Sequence, residues 1–206
     1  MNSPTPPQNP PEDPRTMRLV REARQGSSES FEELYASIAP ALHTWADLRI
    51  RPGQRSLIEP QDLVQEVWFR ALRALEDFDP ERIPFRLWIF RVAKNVLLEA
   101  FRKQRGSSVG IGPTTKMRAI HSLPDSVTAV SKRLMRDESL SIFAEEVRGL
   151  PEEEQKLVLH CGLEGLPYKE VAERLRITSD AVAKRWQRLR SKLNNGSLPA
   201  MLLNQD

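Results

Sequence analysis

The sequence is short of cysteine, histidine and long apolar runs, and each shortage excludes a class of protein. Its single cysteine, Cys161, cannot form an internal disulfide. His43, His121 and His160 lack the spacing of zinc ligands, so we expect no metal and no cofactor. No apolar run approaches the about 20 residues of a membrane span. The N-terminus has neither the basic nor the apolar part of a signal peptide, so we expect a cytoplasmic protein.

Alternating apolar and polar residues, the pattern of β-strands, are also missing. Apolar residues instead recur at steps of three and four, which predicts an all-α protein. At 206 residues the chain has room for two small domains. Hydrophobic residues make up 39% of it, which is enough for a modest core in each.

Proline and glycine divide the chain into segments. Six prolines within 1–14 predict an extended, disordered tail. Helical periodicity fades over 105–135, which is rich in Gly, Ser, Thr and Pro and is predicted to be a flexible linker. We therefore expect helical domains at 15–104 and 136–194, followed by a short tail at 195–206.

Each predicted domain contains four predicted helices. Ser30 and Glu33 have the spacing of a capping box, so a helix should begin there, and Pro40 should bend or interrupt it. The other helices of the first domain are expected at 15–25, from Pro60 to about Leu75 and from Phe85 to about Gln104. Those of the second domain are expected at 136–148, 151–160, 167–175 and 179–193.

The helix that begins near Pro60 has an acidic outer face. Its apolar residues fall on one side, at Leu63, Val64, Val67, Trp68, Ala71, Leu72 and Leu75. Asp62, Glu66 and Phe69 then face away, in a stretch, 59–81, that holds seven acids and two bases. An aromatic residue on an acidic face indicates a contact with a partner, because interface anchors are often aromatic. The alternative is an ordinary solvated helix face with one exposed Phe.

The following helix has the opposite charge, since 82–105 holds seven bases and one acid. Its inward side chains are expected to be Phe85, Trp88, Ile89, Val92 and Val96. Its other flank consists of Arg91, Lys94, Asn95, Glu99 and Arg102. A row of basic groups suits a phosphate backbone, and the amide and aromatic groups beside it suit an unstacked base. A surface that only keeps the protein in solution is the alternative.

Residues 166–193 have the proportions of a helix-turn-helix, with a short helix, a tight turn and a longer basic helix. Ala172 is small where the two helices should cross, and Arg176 occupies a turn position that often carries Gly. A left-handed backbone at Arg176 costs on the order of 1 kcal/mol. The apolar stripe of the second helix is predicted to be Val182, Trp186, Leu189 and Leu193.

The outer face of this second helix carries side-chain types that suit DNA binding. It consists of Asp180, Lys184, Gln187, Arg188 and Ser191, with Ala181 and Arg185 on its flanks. Lys and Arg neutralise phosphates, and Arg and Gln can also make paired hydrogen bonds to bases in a major groove. The stretch 174–192 again holds seven bases and one acid. A plain helical hairpin with a charged surface is the alternative.

Together and in this order, the two modules resemble the sigma-70 superfamily, and specifically its minimal extracytoplasmic-function group. The resemblance covers most of 16–104 and 136–193. Its strongest segments are EPQDLVQEVWFRAL at 59–72, FDPERIPFRLWIFRVAKNVLLEAFRKQR at 78–105 and LPEEEQKLVLHCGLEGLPYKEVAERL at 150–175. It implies a sigma region 2-like bundle and a region 4-like helix-turn-helix, in a protein that directs promoter-specific transcription initiation and is not an enzyme.

The resemblance also implies a role for each surface. The polymerase contacts would be Asp62, Gln65, Glu66 and Phe69, docked on the clamp helices of the beta-prime subunit. The minus-ten element would be recognised and opened by the loop 78–84 and the helix 85–105, through Arg91, Lys94, Asn95, Glu99 and Arg102. The minus-thirty-five element would be read by Asp180, Ala181, Lys184, Arg185, Gln187 and Arg188. The linker 105–135 would run through the polymerase near the RNA exit path. Further implied partners are the polymerase beta subunit and an anti-sigma factor.

One departure from the family and two rival functions limit these expectations. Residues 181–185 read AVAKR where the family more often has TVKSR, so the preferred promoter sequence cannot be carried over. A stand-alone helix-turn-helix regulator would need a dimer interface, which 194–206 is too short and irregular to supply. An enzyme would need a nucleophile, a metal cluster or a phosphate-binding loop, and the sequence shows none.

Overall fold

The computed structural model describes residues 13–104 and 138–194, except for the side chains of residues 103, 104 and 194. These residues fall into two compact units that divide between residues 137 and 138. Both units are helical, and the described ranges contain no strand. The predicted all-α fold with two small helical domains is therefore confirmed. The predicted linker 105–135 and the tail 195–206 lie outside the described residues, as do residues 1–12 of the predicted N-terminal tail.

Over residues 13–104 the N-terminal unit contains four α-helices and one short 3₁₀ turn. The helices are α1 (Pro14–Arg24), α2 (Ser28–Arg49), α3 (Pro60–Ala74) and α4 (Phe85–Gln104), and the 3₁₀ turn is Pro52–Gln54. Pro14 belongs to α1 rather than to the tail, because Asp13 caps the helix by accepting a hydrogen bond from the Arg15 amide (2.9 Å). Proline suits this first position, where its missing N–H has no helical partner to lose.

The predicted start of α2 was wrong by about one turn. Ser27, not Ser30, is the N-cap, and its hydroxyl oxygen accepts a hydrogen bond from the Ser30 amide (3.2 Å). The Ser30 hydroxyl instead donates to Glu22 of α1 (2.7 Å). Pro40 was predicted to bend or interrupt this helix, and the interruption is wrong, because α2 continues through it; the bend stays a prediction. Burial on both sides of Pro40 offsets the cost of about 3 kcal/mol for proline inside a helix.

Aromatic side chains form the centre of the N-terminal unit, where α2 packs against α1, α3 and α4. Trp68 of α3 lies edge-on to Phe31 of α2, with ring centroids 5.7 Å apart, and 4.9 Å from Tyr35. Phe85 extends the cluster to α4, 6.3 Å from Trp68. Such pairs stabilise by about 0.5 to 1.5 kcal/mol each beyond the area they bury. The cluster therefore fixes α3 and α4, which carry two of the predicted surfaces, on a common core.

The C-terminal unit contains α5 (Glu138–Arg148), α6 (Glu152–Leu157), α7 (Tyr168–Leu175) and α8 (Ser179–Asn194). The helix predicted at 151–160 keeps α geometry only to Leu157 and continues as a π-helical segment, Val158–Leu163. Its core includes Phe143, Val147, Leu163, Val171 and Val182, none of which is exposed to solvent. The C-terminal unit therefore has an apolar centre of its own.

The turn between α7 and α8 has the predicted left-handed residue. Arg176 has φ 56° and ψ 43°, the only positive φ among the described residues other than glycine. This bend lets the Ile177 amide donate to the Ala172 carbonyl (3.1 Å), which closes α7. Thr178 then caps α8, since its hydroxyl accepts a hydrogen bond from the Ala181 amide (3.2 Å). The helix-turn-helix prediction is confirmed in its geometry.

Candidate protein-binding and nucleic-acid-binding surfaces

The α3 surface consists of Asp62, Gln65, Glu66 and Phe69. Their spacing of three and four residues places them on one side of the helix, and all four are half-buried. Phe69 lies under the guanidinium of Arg73, which is 5.5 Å from the ring centroid. A partner would therefore meet a partly covered aromatic ring between an acidic and a basic group.

Glu66 does not face away from the protein as the periodicity predicted. Its side chain is only 13% exposed, and its carboxylate accepts a hydrogen bond from Nε of Arg70 (2.7 Å). Nη1 of the same Arg70 lies 2.8 Å from the carboxylate of Glu99 on α4. Glu66 and Glu99, assigned to different surfaces by the resemblance, are thus joined through one guanidinium.

The environment of Arg70 keeps it charged. Burial disfavours the charge, but the hydrogen bonds and attraction from Glu66 and Glu99 outweigh burial and raise the pKa of Arg70 above its ordinary value. Three charged groups on two helices therefore form a fixed network. Sequence periodicity missed it because Arg70 and Glu99 lie in different helices.

The α4 surface consists of Arg91, Lys94, Asn95 and Arg102. Arg91, Asn95 and Arg102 are exposed and Lys94 is half-buried, so the predicted basic face is present without Glu99, which turns to Arg70. Leu98 is 50% exposed in the middle of this face. Leu98 was not predicted to be exposed, although its position three residues after Asn95 places it on the same side of the helix.

The loop between α3 and α4 is closed against the aromatic core. Phe78 is buried, with its ring 5.5 Å from Phe85 and 5.0 Å from the half-exposed Trp88. The Phe78 amide donates to the Leu75 carbonyl (3.3 Å), and the Glu81 amide donates to the side chain of Asp79 (3.0 Å). The loop therefore has a defined shape at the start of α4.

The α8 surface consists of the six residues predicted to read DNA. Five are exposed and Ala181 is half-buried, and the exposed ones are Asp180, Lys184, Arg185, Gln187 and Arg188. The predicted apolar stripe is buried on the opposite side, at Val182, Trp186, Leu189 and Leu193. The structure thus brings all six predicted residues together on one helix.

Arg185 has a partner that the sequence did not reveal. Its guanidinium donates to the carboxylate of Glu153 in the first turn of α6 (2.9 Å). The two side chains are 43% and 73% exposed, so water screens the pair and it contributes little to folding. Glu153 is therefore a polar neighbour of the α8 surface and contributes little to the stability of the fold.

A buried polar pair lies between α6 and the helix-turn-helix. Nδ1 of His160, in the π-helical segment, is 3.0 Å from the carboxylate of Glu164, which is not exposed at all. The neighbouring Cys161 is buried as well. No group of three or more His, Cys, Asp or Glu side chains in the described ranges could hold a metal ion. The pair is a structural feature of the turn that leads to α7.

None of the helices in residues 13–104 and 138–194 is both long and apolar enough to cross a membrane.

Comparison with known families gives two matches that follow the two units. A model of sigma-70 region 2 matches residues 34–107, and a model of sigma-70 region 4 matches residues 140–193. Together the matches cover more than half of the chain. The first includes α3 and α4, and the second includes α7 and α8.

Curated relatives match along most of the chain. The RNA polymerase sigma factor NccH of Alcaligenes xylosoxydans xylosoxydans is 28% identical over 85% of this chain and 90% of its own length. The RNA polymerase sigma-H factor of Pseudomonas aeruginosa is 26% identical, over 89% and 94%. The ECF RNA polymerase sigma-E factor of Escherichia coli K12 is 23% identical, over 88% and 93%. A solved structure of CnrH in complex with the cytosolic domain of CnrY has a TM-score of 0.44 and 22% identity, covering 88% of this chain and 96% of that one.

Proposed function

The chain belongs to the extracytoplasmic-function group of the sigma-70 family, and we propose that its α3, α4 and α8 surfaces divide the work of a sigma factor between them. A sigma factor binds core RNA polymerase and promoter DNA and directs the start of transcription. The observation that carries the proposal is the order of the two units. A region 2 bundle with a basic face on α4 precedes a region 4 helix-turn-helix with a basic recognition helix.

The α3 surface binds the clamp helices of the beta-prime subunit in this proposal. Asp62 and Gln65 provide polar contacts, and Phe69 provides an anchor, since aromatic residues dominate the energies of interfaces. Glu66 contributes through Arg70, which holds its carboxylate. This division of roles follows from exposure, because the side chain of Glu66 is less exposed than that of Arg70, with which it pairs.

The α4 surface and the loop before it recognise and open the minus-ten element. Arg91, Lys94 and Arg102 neutralise phosphates of a strand that runs along the helix, and Asn95 offers an amide to a base. Glu99 supports the surface through its pair with Arg70. Opening DNA costs about 1.4 kcal/mol per stacked base-pair step, so the exposed strand must be held once it is free.

The α8 surface reads the minus-thirty-five element in a major groove. Lys184, Arg185 and Arg188 are its principal contacts, with Gln187 beside them and Asp180 and Ala181 in the first turn, where recognition helices approach base edges. Because residues 181–185 depart from the common family pattern, the preferred sequence is not carried over from better-known relatives.

Core polymerase is required because each unit is too small to act alone. A single DNA-binding module buries only about 600 to 1,000 Å² of protein surface. Polymerase fixes both units at the spacing of two promoter elements, so binding of one raises the effective concentration of the other. The factor therefore acts in the cytoplasm as a non-enzymatic subunit, and an anti-sigma protein is a further proposed partner that would compete for the same surfaces.

A binding experiment with core polymerase tests this proposal against a stand-alone regulator. The fluorescently labelled chain should bind core polymerase, and Phe69→Ala should weaken binding about thirtyfold, as loss of an anchor worth about 2 kcal/mol predicts. Gln61→Ala is the matched control, since Gln61 is exposed on the same helix outside the α3 surface. If the chain does not bind core polymerase but binds a palindromic site as a dimer, it is a stand-alone regulator and the proposal is contradicted.

A further inference from the structure

Arg24, the last residue of α1, holds the loop that precedes α4. Its Nη2 donates a hydrogen bond to the carbonyl of Glu76 (2.7 Å), and its Nη1 donates to the carbonyl of Phe78 (3.2 Å). One guanidinium thus binds two carbonyls that lie more than 50 residues away along the chain. Hydrogen bonds from a charged donor are stronger than those between neutral groups.

The two carbonyls belong to the first half of the loop. α3 ends at Ala74 and α4 begins at Phe85, so neither carbonyl is inside a helix. From Asp79 onward the loop has hydrogen bonds of its own, to the amides of Glu81, Arg82 and Ile83. Arg24 therefore adds two hydrogen bonds to the first half of the loop, where the Phe78 amide also donates to the Leu75 carbonyl (3.3 Å).

The consequence reaches α4 through Phe78. With its carbonyl held by Arg24, Phe78 packs its ring against Phe85 and Trp88, both in the first turn of α4. The α4 surface begins at Arg91, one turn further along. An arginine on α1 is thereby connected to the place where the proposed minus-ten surface starts.

Nothing in the family match assigns this role, because the match to region 2 begins at residue 34, after α1 has ended. Arg24 is also directed at protein carbonyls rather than at the α4 surface, so direct contact with DNA does not account for its position.

We propose that Arg24 is a positioning residue for promoter opening: it holds the loop 75–84 in the shape that the strand of the minus-ten element meets. The inference rests on the proposed function of the α4 surface. Without Arg24 the loop and Phe78 can leave the aromatic core, and the free strand loses its preformed site. Binding of core polymerase by the α3 surface does not depend on this contact.

The test compares three variants of the full chain in holoenzyme. Arg24→Ala removes both hydrogen bonds, whereas Arg24→Lys keeps the charge and can reach only one carbonyl well. Arg21→Ala is the matched control, since Arg21 is also an exposed basic residue in the last turn of α1. For each holoenzyme three quantities are measured: affinity for core polymerase, protection of the minus-thirty-five element, and the rate at which minus-ten thymines become reactive to permanganate.

We expect Arg24→Ala to slow the appearance of reactive thymines by about tenfold or more, the effect of losing one or two charged hydrogen bonds. Core affinity and minus-thirty-five protection should stay within about twofold of wild type, as for Arg21→Ala. Arg24→Lys should fall between wild type and Arg24→Ala.

Two results would overturn the inference. One is an opening rate for Arg24→Ala equal to that of Arg21→Ala. The other is an equal loss in all three measurements for Arg24→Ala, which indicates a general loss of folding. In that case Arg24→Lys decides: a normal core affinity together with an unchanged opening rate counts against the inference. If wild-type holoenzyme opens no promoter, the proposed function itself fails, which is a distinguishable outcome.

Discussion

Nη1 of Arg70 on α3 lies 2.8 Å from the carboxylate of Glu99 on α4, and Nε of the same arginine donates to Glu66. This network ties the helix proposed to bind polymerase to the helix proposed to bind DNA. It stands partly shielded from water, because Arg70 and Glu66 are mostly covered. Its contribution is therefore larger than that of an exposed surface pair.

Arg70→Ala should destabilise the N-terminal unit by about 1 to 3 kcal/mol, because it leaves the protected carboxylate of Glu66 without its partner. Urea unfolding measures this by tryptophan fluorescence in a Trp186→Phe background, where the remaining tryptophans all lie in the N-terminal unit. Arg73→Ala, an exposed neighbour on α3, should cost less than about 0.5 kcal/mol. Equal losses of stability for both variants would mean that the network contributes no more than an exposed side chain does.

Lys184→Ala and Arg188→Ala should separate phosphate contact from base contact on α8. Loss of a phosphate contact at Lys184 should lower the salt slope of promoter binding by about 1 without changing sequence preference. Loss of a base contact at Arg188 should cost about 1 to 3 kcal/mol and relax the preference at one position. Lys156→Ala, on α6, is the control for a lost charge. Holoenzyme binding to a set of minus-thirty-five variants at several salt concentrations gives both quantities.

Glu153→Ala should strengthen promoter binding. Arg185 donates to Glu153 in the free protein, so this acid competes with DNA for the guanidinium and repels phosphates as well. Removing an exposed pair of this kind changes the free energy by about 0.2 to 1 kcal/mol, which is up to about fivefold in Kd at low salt. Weaker binding by Glu153→Ala holoenzyme would show instead that Glu153 aligns Arg185 for its contact.

Arg176→Gly should stabilise the C-terminal unit by about 1 kcal/mol, because the left-handed backbone at this position strains any residue with a Cβ. Thermal unfolding followed by the fluorescence of Trp186 measures the change. Arg174→Gly, two positions earlier and inside α7, should instead destabilise by about 1 kcal/mol. The two Arg→Gly substitutions should therefore change the free energy of unfolding in opposite directions, which distinguishes backbone strain from loss of charge.

The thiol of Cys161 should be unreactive in the folded protein. Burial, and then the nearby charge of Glu164, raise its pKa to about 12. The unfolded thiol has an ordinary pKa of 9.0, so the contribution of Cys161 to stability is complete below pH 9 and is lost as pH rises towards 12. Alkylation by iodoacetamide at pH 8 should be slower than in urea by about a hundredfold or more. Equal rates in the two conditions would mean that the thiol is accessible.

Local signals account for most of the fold. α3 and α4 begin at the predicted Pro60 and Phe85 because a proline start and a regular apolar repeat are set by neighbouring residues. The left-handed turn at Arg176 could be predicted because helix-turn-helix spacing fixes it. The start of α2 could not, because two serines three residues apart both suit a cap, and the hydrogen bond from the Ser30 hydroxyl to Glu22 of α1 decides between them.

Side-chain partners between helices were not predictable. Glu66 and Glu99 were placed outward by periodicity, which describes one helix at a time and cannot show that Arg70 lies between them. Arg24 was missed for the same reason, since its carbonyl partners lie on a loop that the sequence does not place. The exposed basic faces of α4 and α8 were predictable, because basic residues at helical spacing can be recognised without knowing which helices pack nearby.

Transcription from purified components tests the central claim most directly. Core RNA polymerase from the source organism is mixed with this chain and a genomic template library, and the 5′ ends of the transcripts are sequenced. The account predicts discrete start sites that share two sequence elements upstream, and that are lost when Lys184 and Arg188 are replaced together by Ala. Transcripts no different from those of core polymerase alone would contradict it.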